Sequence, residues 1–377
     1  MAWRVLAALA LVVSCVTTSI ATEPVKIGAV VSVTGPASFL GEPEKNTLLL
    51  LKDQLNASGG IGGRQVDVII YDDESDVNKA VLAMEKLLKK DQVSAVVGPT
   101  TSGNTLAIMG KAAEAKVPLV SMSAAEKIVN PVSPWVFKTP QSDRLAVNRI
   151  LAHAKAQGYK KIAILTVSDG FGQAGREVLK ELIPASGLDL VSDEVFGPKD
   201  TDMTTQLTKI AASGPQAVIC WGTNPGPAVV ARNRVQLAMK TPLYMSHGVA
   251  SGKFIELAGD AAEGIVLPAS WLIVSGQMPE GPFKTLLTGY IESYTKKFGS
   301  APSAFGGYAW DGLMLLAQAA KISGSTTSEG LRDGLEKVKD YQSATGVFSF
   351  SATDHNGLNE TSFAMVKIEG GKFVLLK

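Results

Sequence analysis

The sequence predicts an α/β fold built from two doubly wound lobes, each around a mostly parallel sheet. Two observations lead to this expectation. Unbroken apolar segments of strand length alternate with longer segments of helical periodicity, an order typical of parallel sheets covered by helices on both faces. The chain has 377 residues, about twice the usual size of a domain, so two domains are expected.

The first half of the chain contains four strand patterns separated by helix patterns. KIGAVVSV (26–33) is an apolar run of the kind that forms a buried strand. Val81, Met84 and Leu88 recur at helical spacing on one face of 77–90. Strands are therefore predicted at 26–33, 66–71, 94–98 and 117–121, and helices at 44–56, 77–90 and 105–116.

The second half repeats this scheme and then departs from it after Pro268. Strands are predicted at 161–167, 188–196, 216–222, 242–246 and 264–268, and helices near 143–157, 173–183, 202–213, 227–239 and 251–258. Three helix patterns then follow one another without a strand, at 282–298, 303–321 and 328–339. Three strand patterns end the chain, at 346–350, 362–368 and 372–376.

Residues 1–21 have the features of an export signal. Arg4 precedes the apolar run Val5–Val13, which is too short to span a bilayer, and small residues end at Ala21. The segment VVSC offers an alternative, a lipid anchor on Cys15. Cleavage after Ala21 is the expectation, and it predicts a protein that works outside the cytoplasm.

The mature chain carries no charge excess. Loss of Arg4 with the signal leaves 35 basic and 35 acidic residues, which gives no support for a nucleic-acid or anionic-membrane partner. Only Cys220 then remains, so an intramolecular disulfide is excluded. Cys220 lies in the apolar run AVICW, which predicts a buried small side chain rather than a nucleophile.

The loops that follow the predicted strands are rich in Gly, Ser and Thr and nearly free of carboxylates. Ligands of open parallel sheets bind beyond the carboxyl ends of the strands, so these loops are the place to expect a site. Their composition suits an anion or a neutral polar group held by hydroxyls and backbone amides, rather than acid–base chemistry or a hard cation. The loops span 34–42, 98–104, 121–127, 168–175, 222–228 and 246–251.

VVGPTTSGNT (96–105) is a strand-to-helix turn in one of these loops. It lacks the Gly-Lys-Ser/Thr ending of a phosphate loop. Thr101 or Ser102 is expected to cap the following helix through its hydroxyl. The positive end of that helix would also suit a ligand carboxylate.

Two other motifs allow alternative functions. Gly170, Gly172 and Gly175 form a G-x-G-x-x-G pattern with Asp193 about twenty residues later, as in nicotinamide-dependent oxidoreductases. The export signal and the bulky Phe171 argue against that cofactor.

YDDESD (71–76) could bind a metal, but its place before a helix pattern favours helix capping. Neither a serine nucleophile elbow nor a zinc-ligand cluster occurs, so the chain is not expected to be an enzyme, and no cofactor is predicted.

Five segments in a specific order resemble the periplasmic solute-binding proteins of branched-chain amino-acid ABC importers, the leucine/isoleucine/valine-binding type. They are VKIGAVVSVTGPASFLG (25–41), NASGGIGGRQVDVIIYDD (56–73), VVGPTTSG (96–103), DGFGQAG (169–175) and HGVASGKFIELAGDAAEG (247–264). The resemblance covers nearly the whole mature chain.

The resemblance implies a two-lobed type I clamshell with three hinge crossings, near Gln141–Asp143, Ser270 and Phe350. One lobe would contain 23–142 and 271–349, and the other 143–270 and 350–377. A small carboxylate ligand would bind in the cleft, and closure would bury it. The closed form, expected to be a monomer, would dock on a membrane permease. A ligand-sensing ectodomain of the same fold is a further alternative.

The resemblance also implies the residues of the site. The family's carboxylate-binding positions fall on Thr101, Ser102, Ser123, Ala124 and Ala125. The aromatic cleft positions fall on Leu40 with Phe39 beside it, Phe171 and Thr223.

His247 is the largest departure, since amino-acid-binding members have an acidic residue there for the ligand's ammonium. Imidazole pairs poorly with an ammonium. The expected ligand is therefore an aromatic or aliphatic acid, with a hydrophobic amino acid as the remaining alternative.

Overall fold

The computed structural model describes residues 23–376, which form two separate main sheets. The predicted export signal and Cys15 lie outside these residues. The first sheet has five parallel strands in the order β2-β1-β3-β4-β5. They are β1 (Val25–Val31), β2 (Val66–Asp72), β3 (Ala95–Val97), β4 (Leu119–Ser121) and β5 (Val136–Lys138).

The second sheet begins with five parallel strands from the middle of the chain. They are β6 (Lys161–Val167), β7 (Asp189–Phe196), β8 (Ala217–Trp221), β9 (Leu243–Met245) and β10 (Val266–Ser270). A small hairpin follows, made of β11 (Tyr341–Gln342) and β12 (Val347–Phe348). The last two strands, β13 (Phe363–Glu369) and β14 (Lys372–Leu375), then extend the second sheet in antiparallel fashion. Its order is β14-β13-β10-β9-β8-β6-β7.

Eleven α-helices cover the sheets in the described part of the chain. They are α1 (Ser38–Ala57), α2 (Val77–Lys86), α3 (Ser102–Ala115), α4 (Asp143–Ala156), α5 (Gly170–Ala185), α6 (Thr204–Ala212), α7 (Gly226–Gln236), α8 (Gly252–Ala258), α9 (Pro282–Phe298), α10 (Ala304–Ser323) and α11 (Ser328–Glu336). Within 23–376, none has both the length and the apolar character needed to cross a membrane.

The predicted fold class is confirmed, with differences at the element ends and with one strand, β5, that was not predicted. Helix α1 begins at Ser38, although a helix was predicted only from residue 44. Residues 34–42 were expected to form a loop after the first strand, but α1 starts within them and continues through Pro43, which lacks a backbone N–H for one helix hydrogen bond. The strand predicted at 346–350 is reduced to Val347–Phe348. Cys220 is fully buried in β8, as predicted.

The two sheets have separate hydrophobic cores, and the chain passes back and forth between them. Helix α10 packs against α1, so the segment after β10 returns to the first sheet. Phe348 and Phe350 belong to this first core, where Phe350 contacts Phe137. The chain then passes back to the second sheet at β13. Three passages between the sheets result, and the strand ends of both sheets face a common cleft.

Candidate functional site

A cavity of about 520 Å³ lies between the carboxyl ends of the strands of the two sheets. The loops after β1, β3 and β4 and the start of α10 form its first wall. The loops after β6, β7, β8 and β9 form its second wall. The position is the one expected for ligands of open parallel sheets, and the volume is typical of small-molecule sites.

The N-terminus of α3 is the polar centre of the first wall. Thr101 is the N-cap residue predicted from sequence, and its hydroxyl accepts the Asn104 backbone N–H at 3.4 Å. The Ser102 hydroxyl accepts the Ala125 backbone N–H at 3.3 Å. The Ser102 O–H therefore stays available as a donor, beside helix N–H groups that have no intrahelical acceptor. This arrangement suits an anion.

A buried hydrogen-bond network supports this wall from behind. Thr100 accepts the Ser32 backbone N–H at 2.9 Å and donates to the Glu44 carboxyl. Asp73 accepts from the Ser32 hydroxyl at 2.6 Å and from the Asn104 side-chain amide at 2.8 Å. Burial raises the pKa of Glu44 well above its ordinary value and also raises that of Asp73. The network fixes the residues around the start of α3.

Ser123 and Ala124 line the same wall, with a buried cation behind them. The Ser123 hydroxyl donates to the Pro99 carbonyl at 2.8 Å. The Lys138 ammonium donates to the Ala124 carbonyl at 2.6 Å and is fully buried. Desolvation lowers the pKa of Lys138 and raises that of the neighbouring buried Asp143, while the attraction between the two groups favours their charged forms. Lys138 was not predicted as a site residue, because the short strand β5 that carries it was not predicted either.

The second wall is aromatic around the start of α5. Asp169 caps this helix by accepting the Gly172 backbone N–H at 2.8 Å, and burial raises the pKa of its carboxyl. Phe171 follows in the first turn and lies 5.8 Å from Trp221 between ring centroids. Phe196 adds a further apolar surface.

His247 lies within this aromatic group. Its ring centroid is 5.5 Å from Phe171, 5.7 Å from Trp221 and 5.3 Å from Phe363. The residue is only 2% exposed, and among the described residues neither ring nitrogen has a hydrogen-bond partner. Burial, with a smaller effect from Lys138, lowers the pKa of His247 to about 3. The imidazole is therefore neutral at physiological pH.

Most of the predicted site residues line this one cavity: Leu40, Thr101, Ser102, Ser123, Ala124, Phe171, Thr223 and His247. Phe39 and Ala125 do not line it. Phe39 packs edge-on against Phe305, which does line the cavity. Ala125 is fully buried and contributes its N–H to Ser102.

Several lining residues were not predicted. Phe305 and Tyr308 come from α10, far along the chain from the loops that the sequence pattern identified. Asn224 lies next to the predicted Thr223, in a segment that resembles an ordinary Asn-Pro-Gly turn. Its proximity to a strand end was the signal that could have identified it.

The two walls touch each other, so the cavity is enclosed at that side. A Cβ added to Gly170 would lie 3.0 Å from the Gly103 Cα. Lys127 and Glu177 form an ion pair of 2.8 Å between the lobes. The arrangement corresponds to a closed cleft.

The glycine motif of α5 has a packing explanation. A Cβ on Gly172 would lie 1.9 Å from the Val167 carbonyl oxygen, and one on Gly175 would lie 2.1 Å from the Trp221 indole nitrogen. Asp193 forms two hydrogen bonds of 2.7 Å with the Arg176 guanidinium. These contacts account for the motif without a nucleotide.

The acidic segment 71–76 has a capping role. Asp76 accepts the backbone N–H groups of Asn78 and Lys79 at 2.9 and 3.0 Å, as predicted. Between residues 23 and 376, no group of three or more His, Cys, Asp or Glu side chains is arranged to hold a metal ion.

Two α/β lobes with an enclosed cavity between their strand ends define a two-lobed small-molecule-binding protein. Residues 24–372 match the sequence profile of the periplasmic binding proteins. The chain therefore belongs to the periplasmic binding protein family, which confirms the resemblance inferred from its motifs.

Curated relatives agree with this assignment. The Leu/Ile/Val-binding protein BraC3 of Rhizobium johnstonii is 24% identical, over 97% of both chains. The leucine-, isoleucine-, valine-, threonine- and alanine-binding protein of Pseudomonas aeruginosa is 24% identical, over 88% of this chain and 87% of its own.

Solved structures are similar over 94% of the chain. An extracellular ligand-binding receptor from Rhodopseudomonas palustris HaA2 is 30% identical with a TM-score of 0.88, and all of that chain is covered. The branched-chain amino acid transporter substrate binding protein LivJ from Streptococcus pneumoniae, solved with isoleucine, is 26% identical with a TM-score of 0.83, again over its whole chain.

Proposed function

We propose that this protein is the extracytoplasmic ligand-binding component of an ABC importer and that its ligand is a small organic carboxylate without an α-ammonium group. The single observation that carries the choice of ligand is His247, a buried neutral imidazole in the cavity wall. The curated relatives are named for leucine, isoleucine and valine, which supports the class of protein. No bond of the ligand is broken in this proposal.

The carboxylate binds at the first wall. The Ser102 and Thr101 hydroxyls and the first N–H groups of α3 are its hydrogen-bond partners, and the helix dipole adds to the attraction. The buried ammonium of Lys138, behind Ala124, adds positive charge on the same side. A negative ligand group is therefore favoured at this wall.

The cavity offers an ammonium group a single, weak anionic partner. Among residues 23–376, the Asp, Glu, Lys and Arg side chains that line it are Asp169 and Lys199. Asp169 already accepts the Gly172 N–H and burial raises the pKa of its carboxyl, whereas Lys199 is exposed at the rim. A buried ammonium without an anionic partner costs several kcal/mol, so amino acids are disfavoured.

The body of the ligand is apolar and is best matched by an aromatic ring. Side chains from both lobes would contact it: Leu40, Phe171, Phe196, Phe305 and Tyr308. Such rings contribute large contact areas and prefer edge-to-face or offset arrangements.

We further propose that the lobes are 23–142 with 271 to about 356, and 143–270 with about 357–377. We place the third crossing between the lobes after Phe350, near residue 356. Phe350 packs in the first core, and the His355 carbonyl accepts the backbone N–H of Lys138 in the first sheet. Residues 1–21 serve as the export signal, and the closed monomer delivers its ligand to a membrane permease.

Calorimetry with a matched panel tests the choice of ligand. The panel contains leucine, isoleucine and valine, their deaminated analogues, and benzoate. We expect binding of one or more of the acids and none of the amino acids. Tight binding of leucine or valine with no binding of any acid would refute the proposal.

A further inference from the structure

Two buried polar side chains meet on the second wall without partners of their own. Asn224 is 5% exposed, and in the described part of the chain neither its amide nitrogen nor its amide oxygen has a hydrogen-bond partner. In the same part of the chain, neither ring nitrogen of His247 has a hydrogen-bond partner. Both residues line the ligand cavity.

The strand pairing brings the two residues into neighbouring loops. Cys220 of β8 pairs with Met245 of β9, so the segments that leave these strands run side by side. The Ser246 hydroxyl donates to the Gly222 carbonyl at 3.0 Å and joins the loops directly. Asn224 and His247 therefore belong to one small region of the wall.

Unpaired polar atoms at such a place are costly. Each buried group that lacks a hydrogen bond costs about 1–3 kcal/mol, and folded proteins contain few of them. The first wall has no comparable feature at Ser102 and Ser123, whose hydroxyls are hydrogen-bonded. A bound ligand that supplies partners would remove the cost on the second wall.

We propose that Asn224 and His247 form a second polar subsite that recognises an uncharged hydroxyl group on the ligand. This inference rests on the proposed function. The Asn224 amide offers both donors and an acceptor, and a neutral imidazole offers one of each. A hydroxyl needs one partner of each kind. A charged ligand group would meet two neutral side chains at Asn224 and His247, which pair with it poorly.

The subsite and the aromatic wall together define a ligand class, the hydroxylated aromatic carboxylates. The carboxylate meets Ser102, the ring meets Phe171, and the hydroxyl meets Asn224 and His247. A methyl group in place of the hydroxyl keeps the shape but leaves both side chains unpaired. Discrimination against such an analogue is expected to be strong.

Calorimetry with isosteric pairs tests this subsite. The probes are benzoate, 3- and 4-hydroxybenzoate, and 3- and 4-methylbenzoate. In the wild-type protein, at least one hydroxy acid should bind about tenfold or more tightly than the methyl acid of the same position. In Asn224→Leu and in His247→Leu this ratio should fall to about three or less.

Controls separate the subsite from its scaffold. Asn148→Leu is the matched control on α4, where the Asn148 side-chain amide donates a hydrogen bond to Glu360 outside the cavity. In this variant the affinity ratio of hydroxy to methyl acid should not change. His247→Gln retains a donor and an acceptor and should keep part of the preference, so it serves if His247→Leu fails to fold.

Two outcomes overturn the inference. Equal wild-type affinities within each hydroxy and methyl pair would remove the subsite and leave the proposed function intact. Binding of leucine but of none of the five aromatic acids or the aliphatic acids would overturn the proposed function and the subsite together.

Discussion

The two walls of the cleft are built in opposite ways. In the first wall, Thr100 and Ser123 are hydrogen-bonded within the lobe, and a buried network around Asp73 holds them in place. In the second wall, Asn224 and His247 have no such partners among the described residues. If Asn224 and His247 bind the ligand as proposed, the first wall is organised in advance and the second is completed by the ligand.

The walls also differ in charge, and this difference orients the ligand. Lys138 is a buried cation behind the first wall, and α3 points its positive end at the cavity. His247 contributes no charge to the second wall, because burial lowers its pKa to about 3. In the proposed function, the ligand carboxylate therefore binds at the first lobe, and neutral groups of the ligand face the second.

The largest expected effect comes from charging the second wall. In His247→Glu, a carboxylate in the cleft would repel the ligand's own carboxylate, and like charges in a buried site cost several kcal/mol. We expect the affinity for benzoate to fall about a thousandfold, measured by calorimetry. His247→Gln is the neutral control and should lose no more than about tenfold. Unchanged binding by His247→Glu would contradict the asymmetry of the walls.

A somewhat smaller effect is expected on acid stability. Burial lowers the pKa of His247 from 6.5 to about 3, so between these pH values the unfolded chain takes up a proton that the folded protein does not. The contribution of His247 to stability is therefore complete above pH 6.5 and is lost as the pH falls. Between pH 7 and pH 4, wild type should lose about 3 kcal/mol more than His247→Leu, measured by chemical denaturation.

The first wall supplies the opposite control for this measurement. Burial raises the pKa of Glu44 above its ordinary value of 4.5. The contribution of Glu44 to the stability of the protein is therefore complete below pH 4.5 and is lost as the pH rises through the pKa of the folded state. The free energy of unfolding of Glu44→Gln should therefore increase relative to that of wild type as the pH rises. If the free energy of unfolding varied with pH in the same way for wild type and His247→Leu, His247 would not be buried as described.

The first wall was largely predictable from sequence, whereas the second was predicted only at Phe171, Thr223 and His247. Thr101 and Ser102 stand at a strand-to-helix turn, where local chemistry alone specifies a cap. Asn224 lies in the loop 222–228, which was expected to contribute to a site, but its own importance depends on lacking a partner, which is a property of the packed structure. Lys138 acquires its role only through its burial in the folded chain.

The fold was more predictable than the site because strands and helices leave a periodic pattern. The alternation of apolar runs gave the order of elements, and the long α10 was expected from its pattern at 303–321. The contribution of Phe305 to the cavity was not expected, since it needs the chain to return to the first sheet after β10.

An intermediate effect is expected from the first wall. Ser102→Ala removes an O–H donor to the ligand carboxylate, and hydrogen bonds to charged groups contribute about 1.5–3 kcal/mol. The affinity for benzoate should fall about tenfold or more, whereas the neutral benzamide should lose less. Ser213→Ala, at the end of α6 and outside the cavity, should change neither. Equal losses for benzoate and benzamide would argue against a carboxylate at this wall.

The smallest effect is expected where the lobes meet at the surface. Lys127 and Glu177 form a 2.8 Å ion pair between the walls, with their side chains 53% and 59% exposed. Exposed pairs contribute only about 0.2–1 kcal/mol and are screened by salt. Lys127→Ala should therefore weaken benzoate binding less than about fivefold at low salt, with the difference vanishing near 1 M salt. A larger loss that persists at high salt would mean that this pair, rather than ligand contacts with both walls, holds the cleft closed.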